Sequence, residues 1–445
     1  MSALCYNCPL DIKEIGLRNI ISECPGRFSA GKKGMTFIVR TARAFFAAKD
    51  SSATTDWNRV AVVALTVSIF LPFYICIGVV CYLALMTMVQ YRLRLKAFSA
   101  PYTKLLFAFL AAAFFVAAVY NNYQGMAYSI LIYAVVTCGL YLRSVMTRQL
   151  FNQAMDTACV CSIWCVLIAL CQKAYFFAAA PDYRPVSVFT NTNFYGMVLE
   201  FVIIIALYRA FTNPEHLAFY GAVLGLNFIG LYLTGSYSSF AAMLCAVLVM
   251  LGYKRKTKLT AAFLLGTAAY LALCVLVPSF APRGAGSLET TFAQRVSIWE
   301  TSLRGIEEHP LFGMGASAYQ MIYEQFGGYK TYHCHNLLLD ILLNFGVVGL
   351  AVLCIYGIAL VRLLILRFRN NVCTDMNVLA AAAMAAVLVH GMTDVTILWA
   401  QTAALFFLIL SSFGIGSAFL EENIMLPNPL AEYADDRAGA VYLRN

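Results

Sequence analysis

The chain alternates long apolar runs with short polar breaks, and only once is that rhythm interrupted by a polar stretch of any length. Apolar residues fill Val60–Gln90, Leu105–Tyr120, Met126–Leu142, Phe151–Gln172, Phe194–Tyr208, Leu217–Thr234, Tyr237–Gly252 and Leu259–Val277. After the interruption they fill Leu337–Leu360, Met376–Gly391 and Ile397–Ala418. Runs of this length and composition predict membrane-crossing helices. The first, about 31 residues, would extend roughly 46 Å as one helix, more than a straight crossing needs. Leu71-Pro72 splits it into two short crossings, because proline ends or kinks a helix.

The interruption opens with an Arg-bearing loop, Pro278–Thr290, and continues through an amphipathic segment, Thr291–Glu308. It turns at His309-Pro310-Leu-Phe-Gly313-Met-Gly315 and ends in Thr331-Tyr-His-Cys-His-Asn336. Val296, Trp299, Leu303 and Ile306 follow helical spacing and predict an apolar stripe flanked by Arg295 and Arg304. Thr290 or Thr291 is a candidate cap and His309-Pro310 a stop. The expectation is a helix lying at the membrane interface, tryptophan at the boundary and arginines at headgroup depth. A connector needs only a handful of residues, so length here points to function.

Composition agrees with the pattern. Of 445 residues 61 % are hydrophobic and 12 % charged, against about 25 % charged in soluble domains. The formal charge of +9 does not imply nucleic acid, because Lys and Arg fall in short clusters between apolar runs. Placing Arg92–Lys104, Arg143–Arg148, Arg209–His216, Lys254–Lys258 and Arg362–Arg369 on the cytoplasmic side gives about twelve crossings with both termini inside. The predicted class is an all-α polytopic membrane protein with a large outer-face loop. Its expected organisation is a basic tail over 1–58, nine crossings over 59–277 with an outer loop at 173–193, the large outer loop 278–335, three crossings over 336–418, and a tail over 419–445. The tail could hold a surface helix around Met35–Ala48, and the first apolar run starts too late for a cleaved signal peptide. Most of the fifteen cysteines lie inside apolar runs as small hydrophobes, and Cys5, Cys8 and Cys24 lack a fourth zinc ligand nearby.

Two of the five histidines, His333 and His335, stand where the chain re-enters the membrane. Histidine titrates near neutrality and can take a proton from a hydroxyl. His-x-His is also half a metal site, but no nearby carboxylate pair completes it. Asn336 fits a cap for the helix starting at Leu337, and Asp340 fits a polar anchor facing the bundle. His390 and Asp394, four apart, form either a pair sealing the late helices or part of an acceptor site.

Arg295-Val-Ser-Ile-Trp299, the His309–Gly315 turn, and His335-Asn336-Leu-Leu-Leu-Asp340 through Gly346-Val-Val-Gly349 together resemble the signature run of the bacterial O-antigen ligase and polymerase superfamily. The likeness extends to Arg184-Pro-Val-Ser-Val-Phe-Thr-Asn191-Thr-Asn193, Leu233-Thr-Gly-Ser236-Tyr-Ser238 and His390-Gly-Met-Thr-Asp394. Thr192 replaces the usual proline, and no arginine follows Ser236, where the family pattern has one. The resemblance implies an inverting, metal- and cofactor-independent glycosyl transfer on the outer face of a bacterial inner membrane. The donor would be a glycan on undecaprenyl pyrophosphate, and the acceptor a hydroxyl of another glycan or of lipid A core. His335 would be the general base, and Arg184 and Arg295, with Arg304 behind them, would hold the pyrophosphate. His333, Asn336, Trp299, Asn193 and Asp394 would support them. Without a carboxylate cluster, arginines must neutralise the leaving group. A transporter of lipid-linked glycans is the other class considered, but it predicts charges scattered through the spans rather than gathered in outer loops.

Overall fold

The computed structural model describes residues 56–417 and Leu420. The basic tail up to residue 55, with its candidate surface helix and Cys5, Cys8 and Cys24, lies outside the described residues, as does nearly all of the C-terminal tail. Every regular element among the described residues is helical.

Helix α1 (Trp57–Ile69) ends where Pro72 caps α2 (Phe73–Val89), so the first apolar run breaks at the proline. The short basic helix α3 (Tyr91–Ala97) turns 104° away from α2. There follow α4 (Thr103–Val119), α5 (Tyr123–Val145), α6 (Arg148–Phe176), α7 (Thr192–Thr212), α8 (Leu217–Thr234), α9 (Tyr237–Tyr253) and α10 (Thr257–Leu276). Beyond the polar stretch, which holds α11 (Ala285–Glu308) and α12 (Tyr319–Ile322), come α13 (Leu337–Arg369), α14 (Thr374–Gly391) and α15 (Ala400–Leu410). Among the described residues seven helices are long and apolar enough to cross a membrane, eight if the bent α2–α3 pair counts as one span. α1, α4, α9 and the α15 segment are apolar but shorter.

The centre of the bundle is α7, whose Val198–Ala206 run is buried throughout. α6, α8, α9, α14 and α15 surround it, and α9 packs on α14 more extensively than any other pair. Both carry fully buried alanines (Ala242, Ala246; Ala382, Ala383, Ala386), and small residues let helices in lipid approach closely. α10 has no buried residue and leans on α9, as expected of a lipid-facing helix.

Three features differ from expectation. Arg209, assigned from sequence to a loop, sits in the last turn of α7, where its guanidinium clasps Asp156 of α6 at 2.6 and 3.0 Å. α13 runs on to Arg369 and breaks at Gly346, where φ is +63° and ψ −169°. The His309–Gly315 turn inserts there: Val347 N donates to Pro310 O at 2.8 Å and Gly315 N to Asn344 O at 2.8 Å. A Cβ on Gly346 would lie 2.3 Å from the Leu311 carbonyl carbon, so only glycine permits this approach. Backbone groups freed by the break are thus satisfied by protein.

The third feature is α11, which begins at Ala285 rather than Thr291. Neither threonine caps it: Thr290 and Thr291 donate their hydroxyls back to Gly286 O and Ser287 O inside the helix. Its buried line is Ile298, Ser302 and Gly305, whereas Leu303 is half exposed. The reason is packing, since a Cβ on Gly305 would strike Ile322 and Leu343. The small-residue face of α11 therefore docks on α12 and α13.

Candidate active site

The site forms where the first turn of α7, the α8–α9 junction, the middle of α11, the start of α13 and the segment after α14 converge. Asn336 caps α13, accepting from Leu338 N at 3.0 Å and Leu339 N at 3.1 Å. Its Nδ2 donates to Met392 O at 3.0 Å and ties α13 to the end of α14. His335, just before this cap, has φ +48°, and its N–H donates to His333 Nδ1 at 3.2 Å. That turn directs His335 Nδ1 at Asp394 Oδ1, 3.1 Å away.

Asp394 is the hub, its side chain 2 % exposed. Oδ1 faces His335 Nδ1, accepts from Val395 N at 2.8 Å and lies 3.7 Å from His333 Nε2. Oδ2 accepts from Asn193 Nδ2 at 2.5 Å and lies 4.0 Å from Arg295. Burial pushes the carboxyl up, but the hydrogen bond with His335 works against it and the carboxyl is held below the usual carboxylate range. An ionised carboxylate only accepts, so it places the His335 proton on Nδ1 and leaves Nε2 as the acceptor. Nε2 now meets Thr331 Oγ1 at 3.2 Å. His333 is pushed down to about 4 by burial, aided by His335 and Arg295 against Asp394, so it is neutral near pH 7.

Asn193 relays this network to the cationic side, since its Oδ1 accepts from Arg184 Nη2 at 3.3 Å. Arg184, from the 177–191 connection, also donates from Nε to Thr234 O at 2.5 Å. Burial, with help from Arg283 and Arg295, pushes its guanidinium down to about 10, still charged at neutral pH. Arg295 is lowered mainly by burial. Arg184, Asn193, Ser236, Arg283, Arg295 and His335 share the wall of one cavity of about 250 Å³.

The structure thus brings together Arg184, Asn193, Arg295, His333, His335, Asn336 and Asp394. Arg304 is excluded: it lies nine residues beyond Arg295, about 180° around the helix, and is exposed. Trp299 lines no part of the cavity and packs instead into the cluster of Ile298, Tyr319 and Leu343 behind it. His390 does not pair with Asp394; α14 ends at Gly391, and His390 Nδ1 meets Glu200 Oε2 of α7 at 3.0 Å with both side chains fully buried. Asp340 is buried and accepts from Cys334 N and Asn344 Nδ2, which ties the segment before α13 to the first turns of that helix. Sequence reasoning missed Arg283, whose only signal was its place in the Arg-bearing loop after α10.

His333, His335 and Asp394 present ligand atoms within 4.8 Å of one another, which could hold a metal ion. Against this, both imidazoles converge on the same carboxylate oxygen, and Arg295 adds a cation beside it. Arrayed this way, the groups suit a carboxylate-oriented base next to an anion-binding wall.

Residues 222–354 match a family model described as O-antigen ligase. That stretch holds Ser236, Arg283, Arg295 and His335, while Arg184, Asn193 and Asp394 come from outside it. No curated protein matches the chain.

Proposed function

We propose that this chain, whose residues 222–354 match an O-antigen ligase family model, is a membrane glycosyltransferase that moves a glycan from polyprenyl pyrophosphate to a hydroxyl acceptor. One observation carries the reading: a histidine whose Nδ1 faces the Asp394 carboxylate at 3.1 Å and three arginines open into the same cavity. His335 Nε2 takes the proton of the acceptor hydroxyl, whose oxygen attacks the anomeric carbon. The bond from that carbon to the pyrophosphate oxygen breaks, and the leaving group keeps the electron pair. Arg295 and Arg184 neutralise the charge that develops on it, by contacts strengthened in a site of low dielectric. Single displacement inverts the anomeric configuration. Asp394 and Asn193 are positioning residues, one orienting His335 and the other linking Arg184 to that network.

In this reading the donor lipid is undecaprenyl pyrophosphate, the helices make about twelve crossings, the short ones included, and the cavity faces out. Charge distribution supports that orientation. Arg148, Arg209, Lys254 and Arg369 all lie at the helix ends opposite the cavity, where a cytoplasmic surface would gather them. The amphipathic α11 then roofs the bundle at the interface.

The test uses full-length protein in liposomes with an undecaprenyl-pyrophosphate-linked glycan and an acceptor glycan. Expected are release of the lipid pyrophosphate and a new glycosidic bond of inverted configuration. Retained configuration, or movement of the intact donor across the bilayer without transfer, would overturn the reading.

A further inference from the structure

The cavity's charge does not balance. Arg184, Arg283 and Arg295 all line it, and Asp394, which lies 4.0 Å from Arg295, is already engaged by His335 and Asn193. Arg283 makes no ion pair among the described residues; its Nη2 donates to Ser287 Oγ at 2.7 Å, to Thr291 Oγ1 at 2.8 Å and more weakly to Ser287 O. Neutral partners orient a guanidinium without cancelling its charge. Three arginines on one cavity wall suit an anion with more than one charge.

Arg283 is also placed with care. Its side chain crosses Gly235, the αL residue closing α8, so closely that a Cβ there would stand 2.9 Å from Arg283 Cγ and 3.3 Å from Arg184 Nε. Tyr237 Oη donates to the Arg283 carbonyl at 3.2 Å, and Tyr232 Oη to Phe280 O at 3.3 Å, so two tyrosines at the α8–α9 junction hold the loop that carries it. Tyr237 stands where the pattern discussed above has arginine.

We propose that Arg283 is a third ligand of the donor pyrophosphate, supplied by the α10–α11 loop in place of the arginine that Tyr237 replaces, with Tyr237 serving as the loop's tether. The charge reaches the cavity from a different element, across Gly235, and the residue that departs from the pattern positions its substitute. This rests on the pyrophosphate reading of the cavity.

The experiment titrates inorganic pyrophosphate into full-length detergent-purified protein and measures KM for the lipid-linked donor. Arg283→Ala should weaken pyrophosphate binding and raise KM by at least about 10-fold, the lower end for a lost hydrogen bond to a charged group. Arg283→Lys should fall between it and the wild type, and guards against a fold defect in the alanine variant. Adding Tyr237→Arg to Arg283→Ala should recover much of the affinity. If Arg283→Ala binds like the wild type while Arg295→Ala is weakened, the inference is wrong and the reading of the cavity survives. Should neither variant change pyrophosphate binding, the anion site itself is refuted. A double variant no better than Arg283→Ala would mean that the arginine does not substitute for the one Tyr237 replaces.

Discussion

Arginines at the two ends of α7 live in opposite circumstances. In its last turn Arg209 grips Asp156 with both arms of its fork, and Tyr220 Oη donates to the same carboxylate at 2.7 Å. Charge is matched one to one there, and Thr212 accepts a further bond at 3.3 Å. Around the first turn, Arg184, Arg283 and Arg295 face one carboxylate that is already spoken for. A saturated pair locks α6, α7 and α8 together and has nothing left to offer a ligand. An unsaturated cluster is costly in the empty protein and becomes favourable when an anion arrives, which is what a leaving-group site needs. Burial alone would not have separated Arg209 from Arg184 and Arg295, because all three are largely shielded; counting counter-charges does.

The comparison breaks most visibly in activity. Arg295→Ala should lower transfer by about 10²–10³-fold, the range for removing a donor that stabilises developing charge, with thermal stability unchanged or raised. Arg295→Lys should rescue it only in part, since a point charge cannot reproduce a bidentate fork. His335→Ala should cost at least about 10²-fold while donor affinity stays near normal, because the base acts on the acceptor. An Arg295→Ala enzyme that transfers normally would make the cavity cluster structural after all. Full transfer by His335→Ala would remove the base.

At the other end the effect should move to stability. Arg209→Ala leaves Asp156 without its cation, a loss of about 3–5 kcal/mol when a buried pair is broken from one side. The thermal midpoint in detergent should fall clearly, while the specific activity of the folded fraction holds. Replacing both partners, as Arg209→Met with Asp156→Leu, should recover most of that loss, since a well-packed apolar pair can match a buried ion pair. If Arg209→Ala abolished transfer without lowering the midpoint, counter-charge would be no guide to role.

Local signals were legible and distant ones were not. Pro72 broke the first apolar run as read, and α8 spans Leu217–Thr234 in both sequence and structure, because proline geometry and all-round hydrophobicity act within one segment. The break at Gly346 had no such signal, since it exists only because residues 310–315, far back in the chain, fill it. The same holds in the site. His335, Asn336 and Arg295 stood out in local motifs, but the His335–Asp394 bond spans 59 residues and the His390–Glu200 bond 190. Spacing of four suggested that His390 and Asp394 belong together, and the end of α14 at Gly391 separates them. Arg304 lies away from the cavity for a reason visible in principle, because nine residues along a helix reverse its face.

The smallest expected effect is that of removing divalent metal, and it sharpens the comparison by asking whether arginines suffice. A metal held by His333, His335 and Asp394 would need each ligand atom about 2.0–2.2 Å away, as for zinc. Ligand atoms at that range from one ion lie about 3.3–3.6 Å from one another, close to the 3.1 and 3.7 Å between the imidazole nitrogens and one Asp394 oxygen, but an ion there would have to displace the His335–Asp394 hydrogen bond that orients the base. It would also sit beside Arg295, 4.0 Å from the same carboxylate, in a cavity with two further arginines. Like charges in a partly buried site repel strongly, and the ion would cost the site its base. Transfer by purified protein should therefore persist in excess EDTA at the rate seen without it. Activity lost to EDTA and restored by Mg²⁺ or Mn²⁺ would show that a metal carries the leaving-group charge, and the arginine cluster would then need another anion to explain it.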